Sequence, residues 1–224
     1  MIAKIAGALL AVLLLACRGA SREPAARPSP EPGPAAAPSA DARRTILFVG
    51  TSLTAGFGLD PAEAYPALIQ AKIDALGLRY RVVNAGVSGE TSAGALRRMD
   101  WPLQQAVAVL VLETGANDGL RGQDPEATRA NIQAILDRMR RRSPPPRLVL
   151  AGMEALPNYG QDYRRRFRAI FPDLARRNGA VLIPFLLEGT AGVASLNQAD
   201  GIHPTAEGHK IVAENVWKVL RPLL

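Results

Sequence analysis

From Thr45 onward the chain alternates short apolar runs with longer amphipathic stretches, and the runs are rich in Val, Ile and Leu. That spacing predicts strands at 45–49, 79–84, 107–113, 147–151 and 180–184. Helices are predicted between them at about 64–76, 125–142, 161–178 and 205–220. The second opens with Asp124-Pro125, a cap followed by Pro at the first helical position, where a missing N–H costs nothing. Ile132, Ile135, Leu136 and Met139 then share one face, as do Ile211, Val212, Val216, Val219 and Leu220 in the last helix. Alternation of this kind predicts one α/β domain over 45–224, five parallel strands with crossover helices on both faces. Ligands of such sheets bind beyond the carboxyl ends of the strands.

The segments at those ends are small and polar. Strand one runs into Gly50-Thr51-Ser52-Leu53-Thr54, strand two into Asn84-Ala85-Gly86-Val87-Ser88-Gly89, and strand three into Thr114-Gly115-Ala116-Asn117-Asp118. Asp200-Gly201-Ile202-His203-Pro204 precedes the last helix. Several chemistries are excluded by motif. Gly50–Thr54 lacks the closing Gly of a G-x-S-x-G elbow, and no G-K-[ST] follows a strand. Neither H-E-x-x-H nor a third Gly after Gly56-Phe57-Gly58 is present. Asp200 and His203 alone make a poor metal site, so no metal and no cofactor is expected.

Acyl transfer needs a nucleophile, a base, a group to orient the base, and donors for the developing oxyanion. Ser52, His203 and Asp200 fit the first three roles, Asp200 and His203 being close enough on one turn to meet. The N–H groups of Ser52 and Gly86 and the side-chain amide of Asn117 fit the fourth. Taken singly, Ser52 after a strand also reads as a helix cap, and His209 as a solvent-facing or packing histidine. Asp118 reads as a loop brace, Glu154 as a pocket residue, and Trp101 and Trp217 as packing residues.

The four blocks around Ser52, Gly86, Asn117 and His203, in that order, resemble those of the SGNH (GDSL-type) hydrolases. Asn117-Asp118-Gly119-Leu120-Arg121-Gly122 and Leu156-Pro157-Asn158-Tyr159-Gly160 are similar to the small bacterial thioesterase, lysophospholipase and arylesterase subfamily. The resemblance implies a flavodoxin-like three-layer α/β/α sandwich with strand order 2-1-3-4-5, and Ser, Gly and Asn as oxyanion donors. It implies an esterase acting on acyl esters or lipids through an acyl-Ser52 intermediate. A carbohydrate or cell-wall glycan O-acetyl esterase and a non-catalytic surface-binding module fit the same blocks. Two positions depart from the family: Thr51 stands where Asp is usual, and Ala116 where Gly precedes Asn117.

The first 44 residues belong to no such domain. Residues 1–17 have the layout of an export signal, with Lys4, an apolar run from Ile5 to Leu15 and small residues after it. That run is shorter than the roughly 20 residues a spanning helix needs. Leu14-Leu15-Ala16-Cys17 resembles a bacterial lipoprotein box, which implies lipidation of Cys17; an ordinary cleaved signal with an incidental Cys is the alternative. Arg18 after the Cys implies outer-membrane rather than inner-membrane sorting. Residues 18–44 are rich in Pro and Ala and read as a disordered tether. The chain is thus expected to be exported, facing the periplasm and held to a membrane by its lipid. With Cys17 the only cysteine, no intramolecular disulfide forms. The net charge of +7 comes largely from Arg, in clusters such as 140–142, 164–166 and 176–177, but aromatics are only 5% of residues, so nucleic acid is not expected as a partner.

Overall fold

The computed structural model describes residues 43–224. The signal expected over 1–17, Cys17 and nearly all of the 18–44 tether lie outside the described residues. Five strands form a single all-parallel sheet: β1 (Arg44–Gly50), β2 (Tyr80–Gly86), β3 (Val109–Leu112), β4 (Arg147–Ala151) and β5 (Val181–Ile183). Their order is β2-β1-β3-β4-β5, as the family resemblance implies. Ile46 to Val49 of β1 and Val109 to Leu112 of β3 are fully buried, because central strands of a parallel sheet are covered on both faces.

The helices complete a three-layer α/β/α sandwich. α1 (Ser52–Ala55), α2 (Tyr65–Ala75), α3 (Ser92–Arg98), α4 (Ala116–Leu120), α5 (Pro125–Arg140), α6 (Gly160–Asn178) and α7 (Ala206–Leu220) follow in chain order. α2 packs against α7, while α5 packs against both α3 and α6. Asp124 caps α5 by accepting from Glu126 N, and Ile132, Ile135, Leu136 and Met139 are its buried face. α7 buries Val212, Val216 and Leu220 as expected, together with His209, Ala213 and Trp217; Ile211 and Val219 are only half-buried. Trp101, also expected to pack, is exposed. Each fully buried aliphatic or aromatic side chain in this core contributes about 1.5–3 kcal/mol through removal of apolar surface from water.

The register fixes the site. Gly50 lies opposite Gly86, and Val49 opposite Leu112, so the segments after β1, β2 and β3 leave the sheet at one level. None of the helices α1, α3 and α4 that begin those segments was expected from apolar periodicity, since four to seven residues carry too little of it.

Candidate active site

Ser52 is the first residue of α1, and the capping role falls to its neighbour: Thr51 Oγ1 accepts from Leu53 N at 3.5 Å. The turn rests on a buried carboxylate. Glu113, the residue after β3, is wholly buried and accepts from Thr51 N at 2.8 Å, from Thr51 Oγ1 at 3.0 Å and from Thr54 Oγ1 at 2.9 Å. Thr54 Oγ1 lies 2.7 Å from the Tyr65 hydroxyl, and Tyr65 N donates to His209 Nδ1 at 3.0 Å. Burial raises the Glu113 carboxyl above its ordinary range, opposed by these donors. The Tyr65 phenol is raised too, first by burial and then by Glu113. Thr51, which stands where the family usually has Asp, donates its hydroxyl to a carboxylate supplied by the residue after β3.

The base arrives on a turn of different character. Asn197 and Pro204 form an antiparallel bridge, and Gln198 N donates to the His203 carbonyl at 2.7 Å, which folds 198–203 back on itself. Asp200 Oδ1 accepts from the N–H groups of Ile202 and His203 at 2.9 and 3.0 Å. Those backbone donors and the His203 side chain hold the Asp200 carboxyl down at about 2. Being ionised, Asp200 Oδ2 can only accept from His203 Nδ1, 2.6 Å away. The tautomer that results leaves Nε2 free to accept from Ser52 Oγ, at 2.9 Å. Phe57 packs its ring 4.7 Å from the imidazole while remaining about half exposed.

Of the three expected oxyanion donors, two have an N–H to give and one does not. No described residue accepts from Ser52 N. Asn117 Nδ2 gives one hydrogen to the Glu90 carbonyl at 3.1 Å and keeps its second. Gly86 is the exception. Its N–H donates to Asn84 Oδ1 at 2.9 Å, and a Cβ there would meet Ala55 N at 2.3 Å. Gly86 is thus a close-packing residue, and the expectation that it faces an oxyanion is corrected. Three residues on, Gly89 has φ +76°, a conformation few side chains tolerate, and its N–H has no acceptor among the described residues. Asp118 is the brace it was read as: it accepts from Ser92 N and Oγ and from Thr128 Oγ1, tying α4 to α3 and α5. Among the described residues no three His, Cys, Asp or Glu side chains group as metal ligands would.

A parallel sheet of order 2-1-3-4-5 that carries a hydrogen-bonded Ser, His and Asp at its carboxyl edge belongs to the flavodoxin-like class of hydrolases. Residues 48–211 match the GDSL-like lipase/acylhydrolase family, and the chain belongs to that family. It is a carboxylic-ester hydrolase. It is 40% identical over 184 residues to esterase TesA of Pseudomonas aeruginosa, a match spanning 82% of this chain and 90% of that one. The crystal structure of TesA covers 81% of this chain and 100% of its own with a TM-score of 0.77. Thioesterase 1/protease 1/lysophospholipase L1 of Escherichia coli is 37% identical over 186 residues, 83% of this chain and 87% of its own. Esterase EstA from Pseudoalteromonas sp., solved with monoethylphosphonate as inhibitor, is 32% identical, with a TM-score of 0.75 over 80% of this chain and 97% of its own.

Proposed function

We propose that this chain hydrolyses acyl esters and thioesters of the arylester and lysophospholipid kind through an acyl-Ser52 intermediate. The observation that carries the reading is the unbroken relay from Ser52 Oγ to His203 Nε2, 2.9 Å, and from His203 Nδ1 to Asp200 Oδ2, 2.6 Å. Ser52 Oγ attacks the acyl carbonyl as its proton passes to Nε2, and the positive imidazolium is stabilised by Asp200. The C–O or C–S bond breaks as Nε2 returns that proton to the leaving group. Water, deprotonated by the same nitrogen, then releases the acid from Ser52. The N–H groups of Ser52 and Gly89 and the free hydrogen of the Asn117 amide are assigned to the developing oxyanion, where each such donor is worth about a hundredfold or more in rate. The names of the relatives, an esterase and a thioesterase/lysophospholipase, favour this range of leaving groups.

We further propose that the enzyme works on the periplasmic side of a membrane, held by a lipid on Cys17 through the tether of 18–44; the apolar run ending in Leu-Leu-Ala-Cys supports this.

The test is covalent. Wild-type protein is expected to label with a fluorophosphonate probe and to turn over a p-nitrophenyl ester, and Ser52→Ala and His203→Ala to lose at least a thousandfold in turnover. Near-wild-type turnover by either variant would remove the acyl-serine mechanism. Failure of the folded wild type to label would favour a binding module on the same fold.

A further inference from the structure

Beside the site runs an open groove of about 530 Å³ whose charge the reaction above does not use. Its walls include Gly89, Glu90, Thr91, Arg97, Arg98 and Arg121. Arg98 is neutralised: Nε and Nη2 pair with the two oxygens of Glu90 at 2.7 Å each, and Nη2 also donates to the Ala85 carbonyl. Arg97 is exposed and has no hydrogen-bond or ion-pair partner among the described residues. Arg121 donates to the Gly89 carbonyl at 3.1 Å and meets no carboxylate. Two guanidinium charges therefore face one groove without a counter-charge.

Their positions tie them to the chemistry. Arg121 caps the C-terminal end of α4, the helix that carries Asn117, and Arg97 lies in α3, directly after the loop of Gly89. The groove is thus lined by one assigned oxyanion donor, Gly89, and by Arg121 at the end of the helix that carries another, Asn117. Its lining offers Val87 as its one aliphatic side chain, so a hydrocarbon chain gains little there. An anion gains much, since a guanidinium meets phosphate oxygens through paired N–H donors. A simple acyl half carries no anion, its carbonyl being neutral until Ser52 attacks, so the anion must lie on the leaving group.

Resting on the esterase reading above, we propose that Arg97 and Arg121 form a subsite for a phosphate group on the alcohol or thiol half of the substrate. The substrate class is an acyl ester or thioester of a phosphorylated alcohol or thiol. A second groove, of about 490 Å³ around Glu154, Arg164, Arg165 and Arg168, provides the control. There Arg168 pairs with Glu154 and Arg165 with Asp162, and neither oxyanion loop contributes to the lining.

The experiment measures kcat/KM of the full chain on two matched substrate pairs with the same acyl group. One pair is a 1-acylglycerol 3-phosphate against the 1-acylglycerol; the other is an acyl-coenzyme A against the acyl-N-acetylcysteamine. Arg97→Glu and Arg121→Gln are each expected to lower the phosphate-to-neutral ratio at least tenfold in one pair, mainly through KM. Arg164→Glu, an equal charge change to Arg97→Glu, should move it less than threefold. A loss confined to the first pair assigns the subsite to a lipid phosphate, and one confined to the second to a nucleotide-bearing thiol. Ratios unchanged in both pairs, or an equal fall in Arg164→Glu, would overturn the subsite while leaving the esterase intact. A wild type inactive on all four substrates and on the p-nitrophenyl ester overturns the esterase reading and the subsite with it.

Discussion

Ser52 stands on a turn braced by a carboxylate inside the protein, while His203 is oriented by a carboxylate at the surface. Beneath Ser52, Glu113 collects Thr51 N–H and the hydroxyls of Thr51 and Thr54 in a site closed to water. Beneath His203, the partner is Asp200, with 40% of its side chain exposed and oriented by the N–H groups of its own turn. The two halves meet where Ser52 Oγ donates to His203 Nε2 and where Gln198 Nε2 donates to the Phe57 carbonyl at 2.7 Å. In the buried half, position and stability rest on the same groups, because a hydrophobic enclosure penalises any donor left alone. In the exposed half they separate, since water can replace a lost partner. A group at the surface can thus be critical to rate and nearly irrelevant to folding.

Removing Asp200 should separate the two properties most widely. Asp200→Asn keeps the shape of the turn but loses the charge that selects the tautomer and stabilises the imidazolium. Turnover of a p-nitrophenyl ester is expected to fall about a hundredfold or more. The thermal midpoint should move by only a few degrees, as for other substitutions at solvated positions. A large drop in midpoint would show that the turn carries stability after all.

The same test on the buried half should give the opposite balance. Glu113→Ala strands one N–H and two hydroxyls in a dry site, a loss on the order of 3 kcal/mol or more, read from the urea midpoint. The rate should fall roughly tenfold, in kcat more than in KM, because Ser52 loses the position of its turn rather than its base. Glu113→Gln, whose amide oxygen can still accept from Thr51 N, should recover most of the stability. If Glu113→Ala unfolds no earlier than Asp200→Asn, the contrast between the two halves is wrong.

How the sequence displayed these halves follows from the reach of each signal. The sheet was legible because strand and helix periodicity are local, and Asp200 and His203 because they share one turn. The support of Ser52 was not, since Glu113 meets Thr51 across 62 residues and no spacing rule connects them. Thr51 therefore stood out only as a departure from the usual Asp, and the carboxylate its hydroxyl meets comes from the residue after β3. Gly86 ends β2 and Gly89 lies three residues on, and the resemblance pointed to Gly86, whose N–H is already taken. A local signal did exist: Asn84, two residues before Gly86, has the spacing of an Asx-turn, which consumes the N–H of Gly86. The unpaired charge of Arg97 and Arg121 was invisible for the reason Glu113 was, because pairing is a property of the folded surface. Helices α1, α3 and α4 were missed because so few residues give caps but no periodicity.

His209 tests the buried half most gently. It is 1% exposed, its ring lies 6.1 Å from that of Tyr65, and its Nδ1 accepts from Tyr65 N, so protonation would cost both that bond and the burial of a charge. Burial first, and His203 second, hold it down from 6.5 to about 4. Between those values the unfolded chain binds a proton there that the folded chain does not, so stability is complete above about pH 6.5 and declines as pH falls toward 4. The decline from this residue between pH 6.5 and pH 5 is about 2 kcal/mol. His209→Gln, whose amide oxygen can accept from Tyr65 N without titrating, should flatten the thermal midpoint over that interval relative to wild type. Carboxylates that titrate lower contribute equally to both proteins, so the difference isolates His209. Parallel curves would mean that the imidazole protonates as readily inside the fold as outside it, and that the network behind Ser52 is open to water.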